Sequence, residues 1–168
     1  MFNIGDKIFY PMHGAGVIEK IEEKKILDET IAYYIVKMPG EVTVMVPTNK
    51  AENLGLRLVV SETQAKEVIN VLFEESTEMS ENWAERYHDN KERLKTGDIF
   101  EVADIYRNLS YRNRKRNLST SEKKMLVNTR QVLLSELAIS TNTSFDALNQ
   151  ELETKFDQTY ALENNNNI

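Results

Sequence analysis

The chain has 168 residues, 40% of them hydrophobic and 29% charged, with no cysteine and a formal net charge of −6. These figures fit one medium or two small globular domains and exclude disulfides, thiolate metal sites and cysteine nucleophiles. No apolar run approaches the roughly 18 residues of a membrane span, and Met1–Asp6 lacks the basic and apolar parts of a secretory signal, so the expected location is the cytoplasm.

The first sixty residues read as strands. Lys7–Tyr10 is short and β-prone, and the turn-rich Pro11–Gly16 follows it. Val17–Glu22 alternates between two faces, with Val17, Glu19 and Ile21 on one and Ile18, Lys20 and Glu22 on the other. Ile31–Met38 is aromatic and β-branched, Pro39-Gly40 is a turn, and Glu41–Pro47 returns as a hairpin partner. Leu58–Val60 completes a set of five short strands, which predicts a small antiparallel barrel that removes its own edges by closing.

From Ser61 the apolar period lengthens. Ala65, Val68, Ile69 and Leu72 recur at helical spacing, and Glu74–Glu81 reads as a polar linker. Asn82 with Glu85, Asp98 with Glu101, and Ser119 with Glu122 each have capping-box spacing, so three helix starts are expected there. The first of these helices should stop at Thr96-Gly97. The second carries the stripe Ile99, Val102, Ala103, Tyr106 and Leu109 and ends near Asn117. The third is lined by Met125, Leu126, Thr129, Val132, Leu133 and Leu137. Thr143 or Ser144 opens a last helix with Phe145, Leu148, Leu152 and Phe156 inward. Asn164–Asn167 is low-complexity. The predicted fold class is therefore α+β: a β module over residues 1–60, a helix and linker over 61–81, an all-α bundle over 82–160, and a disordered tail over 161–168.

Catalysis finds little support. His13 and His88 are the only histidines and fall in different predicted domains; with no cysteine they cannot form the usual zinc sets. Gly14-Ala15-Gly16 lies between strands, without the helix N-terminus that a phosphate loop requires. No enzyme activity, cofactor, metal or small-molecule substrate is expected.

The charge is unevenly spread. Residues 83–134 hold 12 Lys/Arg against 7 Asp/Glu, whereas residues 1–77 hold 8 against 12 and residues 135–168 hold 1 against 6. A positive block between negative flanks suggests polyanion contact by one part of the chain. Lys123 and Lys124 sit in the first turn of a predicted helix, where the dipole disfavours cations, which points to an external anion such as DNA phosphate. Trp83, the single tryptophan, opens a helix beside this block and can serve either as a core anchor or as an exposed wedge.

At these residues the chain resembles a known family. Gly5–Ile18, with Pro11-Met12-His13-Gly14-Ala15-Gly16 at its centre, is similar to the opening of the CarD family of bacterial transcription regulators and to the polymerase-interacting module of transcription-repair coupling factors. Asn82–Tyr87, Leu94–Asp98, Val102-Ala103 and Leu118–Leu126 look like the CarD helical domain, and the helicase motor of a coupling factor is absent. The resemblance covers about residues 3–140.

It implies a Tudor/SH3-like barrel that binds the RNA polymerase β subunit, and a helical domain that meets promoter DNA at the upstream edge of the melted bubble. Trp83 would wedge into the minor groove and hinder the bubble from closing. DNA contacts would come from Trp83, Arg86, His88, Lys123 and Lys124. Polymerase contacts would include Lys24 and Met45. His88 stands where characterised members carry a lysine, which weakens phosphate attraction at neutral pH. Met45 and Lys24 replace family arginines, which removes a charge at one position and a bidentate fork at the other. The alternative is a protein-only polymerase adaptor that does not wedge DNA.

Overall fold

A computed structural model describes residues 1–166 of the chain. Five strands come first: β1 (Lys7–Tyr10), β2 (Gly14–Ile26), β3 (Glu29–Met38), β4 (Val42–Pro47) and β5 (Arg57–Leu58), with a single 3-10 turn at Thr48–Lys50. Five helices follow: α1 (Glu62–Val71), α2 (Trp83–Lys95), α3 (Ile99–Lys115), α4 (Thr120–Thr141) and α5 (Phe145–Asn165).

The strands form one antiparallel sheet in the order β4-β3-β2-β1-β5. The ladder ends at β4 on one side and β5 on the other, so the sheet is open where a closed barrel was expected. The reason lies in β5, whose two residues pair only with Ile8 and Phe9 of β1 and leave nothing to join to β4. β2 and β3 are longer than their apolar alternation suggested. They continue as a hairpin out to the Ile26–Glu29 pair, beyond the last residue that β4 reaches on β3, Tyr33.

Successive side chains of a strand point to opposite faces, and β1 uses both. Ile8 enters a small core with Ile18, Tyr34, Val36, Met38, Val46, Ala51 and Leu56. Phe9 enters the larger helical core, where it joins Ala15, Leu94, Ile105, Leu109, Leu133, Leu137 and Phe156. The sheet and the bundle therefore share a boundary through β1 and the start of β2.

That boundary is close and polar at its centre. Gly14 has φ +102°, and a Cβ there would sit 2.6 Å from the Ser135 hydroxyl, so only glycine lets β2 approach α4 this closely. The next amide, Ala15 N–H, donates to Ser135 Oγ at 2.9 Å. Beside it Arg57 donates to both oxygens of Glu136, at 2.6 and 2.9 Å, and twice to the Gly97 carbonyl, at 3.2 and 2.8 Å. The guanidinium also lies 4.2 Å from the Phe9 ring centre. Glu136 is 0% exposed and accepts a third hydrogen bond from the Val60 amide.

The helix starts divide into two kinds. Ser119 and Glu122 form the expected reciprocal box, and Ser61 forms one with Gln64. Asn82 and Asp98 cap their helices through their own side chains. Their expected box partners are drawn elsewhere: Glu85 accepts from the Ser80 hydroxyl, and Glu101 pairs with Arg93. α5 is capped by Ser144 and runs through Asn165, so residues 161–165 are helical where a disordered tail was expected. Burial of Leu148, Leu152 and Phe156 fixes the helix, and Tyr160 extends the hold by donating to the Arg114 carbonyl. Asn167 and Ile168, the end of that predicted tail, lie outside the described residues.

Arg57→Met should lower the free energy of unfolding by about 3–5 kcal/mol, because it leaves the Glu136 carboxylate buried without its cation. Urea denaturation followed by circular dichroism checks this; a loss below about 1 kcal/mol would show that the pair does not hold the sheet to the bundle.

Candidate nucleic-acid interface

α2 begins at Trp83 because Asn82, in an extended conformation, accepts from the Ala84 and Glu85 amides at 2.9 and 3.2 Å. The first residue of a helix projects at its rim, and the indole remains 55% exposed. Of the two readings open from the sequence, core anchor or exposed wedge, the position fits the second.

Arg86, three residues on and about 60° round the helix axis, turns into the interior instead. It is 3% exposed, its Nε donates to Glu122 Oε1 at 2.5 Å, and its Nη1 donates to the carbonyls of Ser80 and Glu81 at 2.7 and 3.3 Å. The expectation that Arg86 meets DNA phosphate does not fit this placement, because its charge is already neutralised inside the protein. Arg86 instead fixes the approach to α2.

Glu122 completes the arrangement. Its Oε2 serves the capping box with Ser119, and its Oε1 takes Arg86. Burial opposes its ionisation, but the Arg86 guanidinium and the Ser119 donors outweigh that and hold its carboxyl below the usual range. One carboxylate thus ties the first turn of α2 to the first turn of α4. Trp83 stands three residues before the arginine, and Lys123 and Lys124 directly follow the glutamate, so the pair fixes the helix start that carries the indole relative to the one that carries both lysines; Lys123 also borders a groove with Tyr106, Arg114, Glu153 and Asp157. Both lysines are exposed.

His88 is exposed on α2 but lies five residues beyond Trp83, roughly 140° round the helix axis. It therefore points away from the Trp83 side of α2. Lys24 and Met45 are on the sheet. Met45 is 40% exposed on the edge strand β4, paired with Ile35. Lys24 is exposed on the hairpin, paired with Ile31 beyond the reach of β4. The structure does not bring these two together, nor either of them to Trp83.

Much of the basic block is engaged internally. Arg93 pairs with Glu101 and Asp104, Arg107 with Asp104, and Arg114 with Glu153 and Asp157 of the acidic helix α5. Summed charge counted these cations as free, and long-range pairing accounts for the difference. The structural roles of Glu136 and Glu81 had no sequence signal, since their partners lie 79 and 31 positions away in the chain.

Elsewhere, His13 stacks on Tyr10 with ring centres 4.3 Å apart. Among the described residues no cluster of histidine, aspartate and glutamate could hold a metal ion, and no helix is long and apolar enough to cross a membrane.

Residues 2–60 match the family model described as the CarD-like/TRCF RID domain, and residues 67–153 match the one described as CarD, C-terminal domain. A protein of Bacillus subtilis (strain 168) named "Putative transcription factor YdeB" is 41% identical over 140 residues, which span 83% of this chain and 92% of that protein.

The depressed Glu122 carboxyl makes stability acid-dependent with a definite sign. Its contribution is present above the ordinary carboxylate range and is lost as pH falls through the lowered native value. Glu122→Gln should therefore be less stable than the parent at neutral pH, and the gap should narrow as the solution is acidified. Thermal unfolding at stepped pH measures it, and a gap independent of pH would remove the ion pair as its cause.

Proposed function

The chain belongs to the CarD family and has a transcription-related role, and from that premise we propose that it docks on RNA polymerase and stabilises the open promoter complex. The sheet would grip the β subunit, and the helix starts that carry Trp83, Lys123 and Lys124 would face DNA at the upstream end of the bubble. The observation that carries this reading is the exposed indole at the start of α2, joined through Arg86 and Glu122 to the start of α4, whose two exposed lysines have no ionic partner among the described residues.

Physical chemistry favours that division of labour. A rigid aromatic wedge stabilises an unstacked step, while lysines on the joined helix start hold phosphates without reading sequence. Arg86 and Glu122 keep the wedge from swinging, so less ordering is left to the moment of binding. His88 extends the exposed surface of α2. The protein-only adaptor would place Trp83 in its own core, and the half-exposed indole speaks against it.

On the sheet, the open edge of β4 presents unpaired backbone groups that a partner strand can meet. Met45 gives this edge an apolar contact, and Lys24 a single charge on the neighbouring hairpin. Met45→Asp should weaken capture of a purified polymerase β fragment by roughly tenfold, an effect typical of a central apolar contact. Undiminished capture would move the polymerase contact off this strand.

Trp83→Ala should bind polymerase as the parent does but lose about 1–3 kcal/mol of open-complex stabilisation, a roughly 5- to 150-fold shorter lifetime. Promoter-complex dissociation after heparin challenge tests this, and an unchanged lifetime overturns the wedge.

A further inference from the structure

Glu81 stands two residues before Trp83, on the irregular segment that enters α2. Its backbone is held from one side, where Arg86 donates to the Ser80 and Glu81 carbonyls. Its side chain leaves in another direction. A single carboxylate oxygen, Oε2, accepts from Arg112 Nη2 and from Arg116 Nη1, each at 3.3 Å. These two guanidinium groups hold the Glu81 carboxyl below the usual range, Arg112 foremost.

Arg112 and Lys115 are i, i+3 neighbours on the last turn of α3, and Arg116 follows as its extended C-cap residue. With Thr77, Asn108 and Glu81 they line a groove of about 520 Å³ that Glu78 also borders. Lys115 has no ionic partner among the described residues, and Arg112 Nε is buried without a hydrogen-bond acceptor. The Glu81 side chain is 76% exposed, and exposed pairs of this length stabilise little. An unfilled guanidinium fork, a spare lysine and a loosely held carboxylate together describe an anion site occupied by a poor substitute.

We propose that Arg112 and Arg116 form a clamp for a DNA backbone phosphate, and that Glu81 fills it as an intramolecular stand-in displaced when DNA arrives. This rests on the DNA-facing reading of Trp83 and deepens it. A phosphodiester offers two unshared oxygens where Glu81 commits one, so each arginine gains an acceptor of its own in shorter, charge-assisted bonds. Because Arg86 keeps its hold on the Ser80 and Glu81 carbonyls, the Glu81 side chain can swing out without moving Trp83. The exchange also explains why an acidic residue lies next to the wedge: it lowers affinity for any anion that cannot evict it.

The test uses the full chain and a fluorescent promoter duplex carrying a mismatched bubble, with binding read by anisotropy across a salt series. Glu81→Gln should tighten binding by roughly three- to tenfold at low salt, and the gain should vanish when Arg112→Gln and Arg116→Gln are added. Glu81→Gln binding no better than the parent, while Trp83→Ala still weakens the complex, overturns the clamp and leaves the wedge intact. An equal gain from Glu75→Gln, or a gain that survives loss of both arginines, assigns the effect to bulk charge and overturns the clamp as well. If neither Trp83→Ala nor the double arginine variant alters binding, the DNA-facing reading itself has failed, and the clamp falls with it.

Discussion

The ion pair between Arg86 and Glu122 is the contact on which the proposed DNA surface depends. A charge this deeply buried is tolerated only when its partner is fixed and the remaining hydrogen-bonding capacity is used. Both conditions hold. Glu122 divides its oxygens between a helix cap and the guanidinium, and Arg86 uses its remaining reach on two backbone carbonyls. Such a pair contributes more to geometry than to net stability. It sets where two helices begin relative to each other, and therefore where the indole and the lysines stand.

A second buried carboxylate does the corresponding work at the other boundary. Glu136 takes Arg57 from β5 and the Val60 amide from the segment leading to α1. Arg57 in turn reaches the Gly97 carbonyl, at the turn between α2 and α3. The sheet is thus fastened to two parts of the helical half through a single arginine, next to the glycine contact between β2 and α4. An open sheet with a two-residue edge strand would be weak alone, and this side of it is stabilised by what it packs against.

Local features were legible in the sequence, and distant ones were not. The turn at Pro39-Gly40, the stop at Thr96-Gly97, the caps at Asn82, Asp98 and Ser119, and the stripes of α3 and α5 all rest on residues within a few positions of one another. Those signals survive without knowledge of the fold. Whether a capping glutamate completes its box depends on rivals: Ser80 draws Glu85 away and Arg93 draws Glu101 away, whereas Glu122 serves both its box and Arg86. Closure of the sheet failed as an expectation because β-propensity at Leu58–Val60 says nothing of hydrogen-bond partners. The site divided along the same line. Exposure of Trp83 follows from its place at a helix start, but the withdrawal of Arg86 into the interior required Glu122, 36 positions away.

Both buried carboxylates belong to α4, one in its first turn and one near its end. Fourteen residues separate them, almost four turns, which places them on nearly the same side of the helix about 21 Å apart. One rod therefore carries the fastening to the sheet at one end and the alignment of the tryptophan at the other. The protein has the form of a caliper whose jaw separation is set by helical rise, not by a hinge. Inserting one residue between the two glutamates would lengthen the rod by only about 1.5 Å but turn one jaw by about 100° against the other. For a molecule of this kind, the length of α4 is as much a functional quantity as any side chain on its surface.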